Sequence, residues 1–192
     1  MDAQSKCDTV RKNQQAAPTP AFTGAQRRIY APYKIKPMET ETEMDGKGYV
    51  HYKSWQETYP GLVPQAYLES VTLESCTAMA RRWRNNILIA KDGKQVIGFA
   101  AFGPCRDDRL RNCGEIIALY TLQACYGKGA GQMLLQAALE KLSGYAHIFL
   151  WVLRGNSRAI RFYEKNGFCF DGTQRDILLG TPVTELRMYL EK

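Results

Sequence analysis

A chain of 192 residues with 26 Lys and Arg against 19 Asp and Glu carries a net charge of +7, and 45% of it is apolar, enough for one domain that buries roughly 70% of the surface its unfolded chain exposes. No apolar run approaches the roughly 18 residues of a membrane span and the first residues lack a signal peptide's apolar stretch, so a cytoplasmic protein with no membrane partner is expected. Six cysteines without a Cys-x-x-Cys pair and only two histidines point to neither a zinc site nor a disulfide framework, and no metal is expected.

The charge is uneven along the chain. Residues 1–36 hold seven Lys/Arg against two Asp, leaving only +2 of the +7 for the rest. Residues 1–30, rich in Gln, Ala, Thr, Pro and basic side chains, show no apolar period and read as a flexible basic extension ahead of one domain over 31–192. A solvated tail without catalytic role is the plain reading, and no nucleic-acid partner is expected. An arm for nucleic acid or the ribosome is the alternative, and it predicts binding that weakens steeply with salt.

Tyr33 to Met38 alternates like a first strand. Glu41 to Tyr59 reads as a helix despite Gly46 and Gly48, and Pro64 to Arg84 as one or two more, with Pro64 suited to a helix start. Trp55 and Tyr59, four apart, suit either an aromatic wall for an amine or the core. Ile87 to Lys91 and Gln95 to Phe102 flank the turn Asp92-Gly93-Lys94, a hairpin signal, and Glu115 to Leu122 is the next strand.

The following turn, Tyr126-Gly127-Lys128-Gly129-Ala130-Gly131, carries the most information. After it, Leu134, Leu135, Ala138, Leu139 and Leu142 recur at helical spacing, so a helix over Gly131 to Ser143, closed by Gly144, is predicted. Glycines where a strand feeds a helix let an anion approach unpaired N–H groups at the positive end of the macrodipole, which suits a phosphorylated ligand. A Walker loop is excluded, because no Gly-Lys is followed by Ser or Thr. A dinucleotide fingerprint fails too, because Gln132 stands where its last glycine belongs, and Ala146, His147 and Ile148 lie where its acidic residue would be. Cys125 beside the loop has no base near it in sequence and reads as a reduced structural thiol.

Ile148 to Leu153 is a short apolar run, as expected of a strand covered on both faces. Next come a helix over Ser157 to Asn166, stopped by Gly167, and strands near Phe168 to Asp171 and Thr184 to Leu190. The helix segment runs Asn156-Ser157-Arg158-Ala159-Ile160-Arg161-Phe162-Tyr163-Glu164-Lys165-Asn166-Gly167-Phe168.

These two segments together resemble the GNAT acetyltransferase superfamily. Gly129 and Gly131 fill the glycines of its Gln/Arg-x-x-Gly-x-Gly/Ala motif, while Tyr126 replaces the leading Gln or Arg. The second segment matches the family's Asn-x-x-Ala-x-x-Phe-Tyr-x-x-x-Gly-Phe pattern. The resemblance covers about residues 33 to 192 and is strongest from 114 to 168. It implies an α/β fold with a mixed, mostly antiparallel sheet splayed between strands 4 and 5 and flanked by helices. It also implies an N-acetyltransferase that binds acetyl-CoA in that gap and transfers the acetyl group directly to a primary amine of a small molecule or peptide.

On that resemblance the backbone of Leu119, Tyr120 and Thr121 would meet the pantetheine arm, Gly127, Lys128, Gly129, Ala130, Gly131 and Gln132 would hold the diphosphate, and Asn156 would bind the amide-bearing arm. Asn156 is equally a helix cap, and both roles are compatible. Tyr163 would be the general acid for the departing thiolate, its plain reading being an aromatic on an amphipathic helix. A general base is also needed, because an alkylamine is mostly protonated near neutral pH. Glu115 stands where histone-acetylating members carry theirs, and strict alternation would set it on one face with Ile117, Leu119 and Thr121; a structural carboxylate is the other reading. A catalytically idle acyl-CoA-binding module remains an alternative to the enzyme, and pairing of the last strands, including Arg187 to Leu190, allows a homodimer.

Overall fold

The computed structural model describes residues 33–107 and 109–191. The basic extension expected over residues 1–30 lies outside the described residues. Among the described ones no helix is long and apolar enough to cross a membrane.

The chain forms β1 (Tyr33–Pro37), α1 (Glu41–Thr58), α2 (Gln65–Ser70), α3 (Leu73–Arg82), β2 (Ile87–Asp92), β3 (Gln95–Pro104), β4 (Cys113–Thr121), a 3-10 turn (Gln123–Cys125), α4 (Ala130–Lys141), β5 (His147–Leu153), α5 (Ser157–Lys165), β6 (Cys169–Leu179) and β7 (Thr181–Glu191). The strands make one seven-stranded sheet in the order β1-β2-β3-β4-β5-β7-β6. Every neighbouring pair is antiparallel except β4 with β5. The order matches the expected mixed, mostly antiparallel fold.

The splay between strands 4 and 5 is visible in the register. Parallel pairing runs only from Cys113↔His147 to Ile116↔Leu150, whereas β4 stays paired to β3 out to Gly98↔Thr121. Residues 117–121 of β4 therefore offer one backbone edge to whatever enters the gap.

Two apolar layers sandwich the sheet. One joins Ile97, Ile116, Leu134, Leu135, Ile148, Leu150, Tyr163 and Met188 beneath α4 and α5. The other joins Met44, Val50, Ala80, Ile89 and Phe99 beneath α1 and α3. Each such fully buried side chain contributes about 1.5–3 kcal/mol relative to exposure.

The first helix is fixed at its start by a capping box, Thr40 Oγ1 accepting from Glu43 N–H and Glu43 accepting from Thr40 N–H. The glycines inside α1 are contact points. A Cβ on Gly46 would lie 2.7 Å from Val96, and one on Gly48 would lie 2.7 Å from the Thr77 Cα of α3.

Two local expectations need correction. The glycine-loop helix ends at Lys141 with Leu142 as its cap, not at Ser143; Gly144 keeps an ordinary φ and is no cap, because buried Leu142 and its N–H bond to the Ala138 carbonyl already close the helix. The last two strands form one long hairpin turning at Gly180 (φ +75°), far longer than the segments 168–171 and 184–190 suggest. Gly172, Gly180 and Pro182 read as breakers, yet the register shift between Phe170 and Gln174 absorbs the first and the turn uses the second. The hairpin end packs Ile177, Leu179 and Val183 around Tyr59, Val63, Leu68 and Leu153.

Candidate active site

The splay opens a cleft of about 830 Å³. Leu119, Tyr120, Thr121, Gly127, Gly129, Gly131, Gln132, Asn156 and Tyr163 of the expected site line it. Lys128, Ala130 and Glu115 do not. Lys128 is exposed, and Ala130 is fully buried against the core, leaving only its backbone to face a ligand.

The loop is shaped by backbone that side chains resist: Gly127 and Gly129 have φ of +72° and +92°. Gly129 is also the N-cap of α4, and no side chain caps that helix. Its first N–H groups thus remain without a side-chain acceptor beside the cleft, which is the donor set an anionic diphosphate fits. Gln132 donates to Asn166 Oδ1 at 2.6 Å and so ties the start of α4 to the end of α5.

Tyr126, the residue that departs from the glycine motif, lies under a guanidinium: Arg158 Cζ stands 3.5 Å from its ring centroid. Arg158, Arg161 and Lys165 of α5 all line the cleft. Their spacing of three and four residues makes a basic helix face at positions that the family motif leaves unspecified.

Asn156 caps α5, its Oδ1 accepting from Ala159 N–H at 3.2 Å. Its amide N–H groups are not spent on that cap. The Thr121 carbonyl accepts from Ser54 Oγ at 3.3 Å.

Three phenols meet around the cleft. Tyr59 and Tyr120 hydroxyls are 2.8 Å apart, and the hydroxyl of Tyr163, a residue 8% exposed, makes no hydrogen bond among the described residues. Burial, and then the neighbouring Tyr59, pushes the Tyr163 phenol well above its ordinary value. It stays a proton donor across the physiological range. Cys125 also lines the cleft, with its thiol pushed up mainly by burial, which opposes a nucleophilic thiolate.

Glu115 departs from the expected placement. Ile116 and Leu119, three apart, both pack with the α4 layer, while Ala118 and Tyr120 pack with the α1 layer. Strict alternation forbids this; a bulge at Ile117 permits it, since Ala101 pairs with Ala118 but Phe102 with Ile116. Glu115 therefore faces away from Leu119 and Thr121. Its buried carboxylate accepts from Arg106 backbone N–H and Nε at 3.0 Å and from Nη2 at 2.6 Å.

One lining residue had no signal in the sequence. Glu185 sits opposite Leu153 on β5 and opposite Arg175 on β6, so its position depends on the long hairpin. It is the only carboxylate among the described lining residues. No cluster of three or more His, Cys, Asp or Glu that could hold a metal occurs among the described residues.

Residues 49–168 match the sequence profile of the acetyltransferase (GNAT) family. The uncharacterized N-acetyltransferase YuaI of Bacillus subtilis is 34% identical over 122 residues, covering 60% of this chain and 68% of that protein. The spermidine N(1)-acetyltransferase of Thermoplasma acidophilum is 29% identical over 129 residues, covering 63% and 79%. In fold, the chain is similar to the PaiA N-acetyltransferase of Thermoplasma acidophilum solved with coenzyme A, with a TM-score of 0.65 at 24% identity over 83% of this chain and 99% of that one.

Proposed function

The chain belongs to the GNAT family of acetyltransferases, and on that premise we propose that it transfers the acetyl group of acetyl-CoA directly to a primary amine of a small molecule or peptide. The observation that carries this reading is the departure of β4 from β5 after Ile116, next to the uncapped, glycine-lined start of α4. A gap with a free strand edge suits the pantetheine arm, and the adjoining N–H groups suit the diphosphate.

In this reading acetyl-CoA supplies an activated thioester. The free-base amine nitrogen forms the new bond to the acetyl carbon, the carbon–sulfur bond breaks, Tyr163 delivers its phenolic proton to the departing thiolate, and the proton lost by the nitrogen passes to solvent, from which the phenol regains one. A phenol without an internal acceptor and held protonated by burial is fitted to that donation. Leu119, Tyr120 and Thr121 orient the arm through their backbone, Gly127, Gly129, Gly131 and Gln132 hold the diphosphate with the exposed Lys128 and the backbone of Ala130 beside them, and Asn156 donates to the arm's amides. Glu115, buried, outside the lining of the cleft and clamped by Arg106, is read as the structural carboxylate rather than the base. A homodimer through the last strands stays a proposal for a sizing experiment.

Thiol release from acetyl-CoA, followed against small amines, polyamines and N-terminal peptides for wild type and Tyr163→Phe, tests the reading. Amine-dependent release that collapses in the variant supports it. Tight acetyl-CoA binding without release for any amine favours an idle acyl-CoA-binding module instead.

A further inference from the structure

The cleft differs in charge between the two faces of the sheet. On the α5 face its cationic lining residues are Arg158, Arg161 and Lys165, and its sole carboxylate among the described lining residues is Glu185. Alternation places Glu185 elsewhere. Val152 and Leu150 pack in the α4–α5 layer, whereas Leu153 packs with Tyr59 and Leu68 on the α1 side. Directly paired antiparallel residues share a face, so Glu185, opposite Leu153, is on the α1 side with Trp151. The polyanionic donor suits one face, and the acceptor's face carries the acid.

Glu185 is also half of a box already built for a cation. The Arg175 guanidinium lies 4.0 Å from the Trp151 ring centroid and donates Nε to Glu185 Oε2 at 2.8 Å, with Nη2 at 2.7 Å from the same oxygen. The Glu185 side chain is 15% exposed and that of Arg175 44%. The carboxylate and the indole are the fixed walls, and the guanidinium is the more solvent-exposed member. A charge-assisted bond together with an aromatic face is a general recognition surface for ammonium groups.

We propose that the Glu185–Trp151 box is an acceptor subsite for a second cationic centre, so that the preferred acceptor is an α,ω-diamine or longer polyamine, and that Arg175 occupies the subsite until the acceptor displaces it. The proposal rests on the transferase reading above. One nitrogen is acetylated near Tyr163, while another, kept as ammonium, lies between the Glu185 carboxylate and the Trp151 ring. Arg175 competes for the same carboxylate and so sets the affinity.

The test compares n-butylamine with 1,4-diaminobutane, which differ by the second nitrogen. Wild type should show the higher kcat/KM for the diamine. Glu185→Gln should lower the diamine-to-monoamine ratio about tenfold, through KM, as expected for loss of a charge-assisted contact. Arg175→Ala should raise the ratio by removing the internal competitor. A calorimetric titration of 1,4-diaminobutane into protein saturated with CoA measures the same contact without turnover, and acetyl-CoA affinity serves as the check that each variant is folded. A ratio unchanged in both variants, or diamine binding no weaker in Glu185→Gln than in wild type, overturns the proposal. Glu185-dependent diamine binding with no thiol release for any amine would support the subsite and count against the transferase reading.

Discussion

Arg158 lays its guanidinium 3.5 Å from the centre of the Tyr126 ring, at the one position where the glycine motif lacks its usual Gln or Arg. The ring is itself steadied by a 3.4 Å contact between its hydroxyl and Thr58 Oγ1. The stack brings a positive charge from a neighbouring helix to the position where the motif carries Gln or Arg. Arg158→Ala is expected to weaken acetyl-CoA binding about fivefold to tenfold, of the order of one charged contact, and to leave pantetheine binding unaffected. Equal losses for both ligands in calorimetry would show that Arg158 does not act on the phosphates.

Tyr163→Phe removes one oxygen from a side chain whose ring packs against Phe162 and Phe168. The fold should tolerate it. Turnover is expected to drop about a hundredfold or more with acetyl-CoA affinity retained, as for loss of a general acid. A kcat within threefold of wild type would refute the role.

Glu115→Gln separates a structural carboxylate from a base. Loss of the charge opposite Arg106 should cost about 2 kcal/mol of stability, seen as a lower denaturant midpoint. The pH profile of kcat should keep its shape in the variant. Disappearance of its acidic limb would instead restore Glu115 to the chemistry.

Gly48→Ala should destabilise by about 2–3 kcal/mol, because the new Cβ would lie 2.5 Å from Thr77 Oγ1 and 2.7 Å from its Cα. Gly144→Ala, with nothing within 4 Å and an ordinary φ, should be neutral or slightly stabilising. Thermal midpoints of the two variants side by side distinguish close helix contact from a general dislike of side chains at glycine sites.

His51 lies among Phe99, Tyr120 and Trp55 with its Nδ1 unpartnered. Burial first, then the nearby Lys47, pull its value down to about 4 from 6.5. The unfolded chain therefore binds the extra proton between those values, so the contribution of neutral His51 is fully present above pH 6.5 and is lost as pH falls towards 4. Wild type should lose about 2 kcal/mol more than His51→Phe between pH 7 and pH 4, read from urea midpoints. Parallel declines would show that other groups cause the acid sensitivity.

What could be read from the sequence follows from how local each signal is. The glycine loop, the Asn156 cap and the α5 stop at Gly167 are set by backbone preferences within a few residues, and they appear where expected. The face of Glu115 is not legible in the sequence, because a one-residue bulge leaves no mark in a run of apolar side chains. The Glu185 position was hidden for another reason: it depends on the antiparallel β5–β7 pairing and on a hairpin whose glycines look like interruptions. Gly46 and Gly48 read as helix weakeners in the sequence, whereas their value lies in close tertiary contact.

The four-residue parallel seam from Cys113 to Ile116 makes the molecule two sub-sheets sharing a short hinge line. Whatever bridges the open part of the V stitches both leaves together. Saturation by such a ligand at a hundred times its Kd adds about 2.7 kcal/mol to the folded state. Amide exchange in β5 and β7 should slow along with β4, so that protection far from the ligand reports how fully the two leaves have become a single cooperative unit.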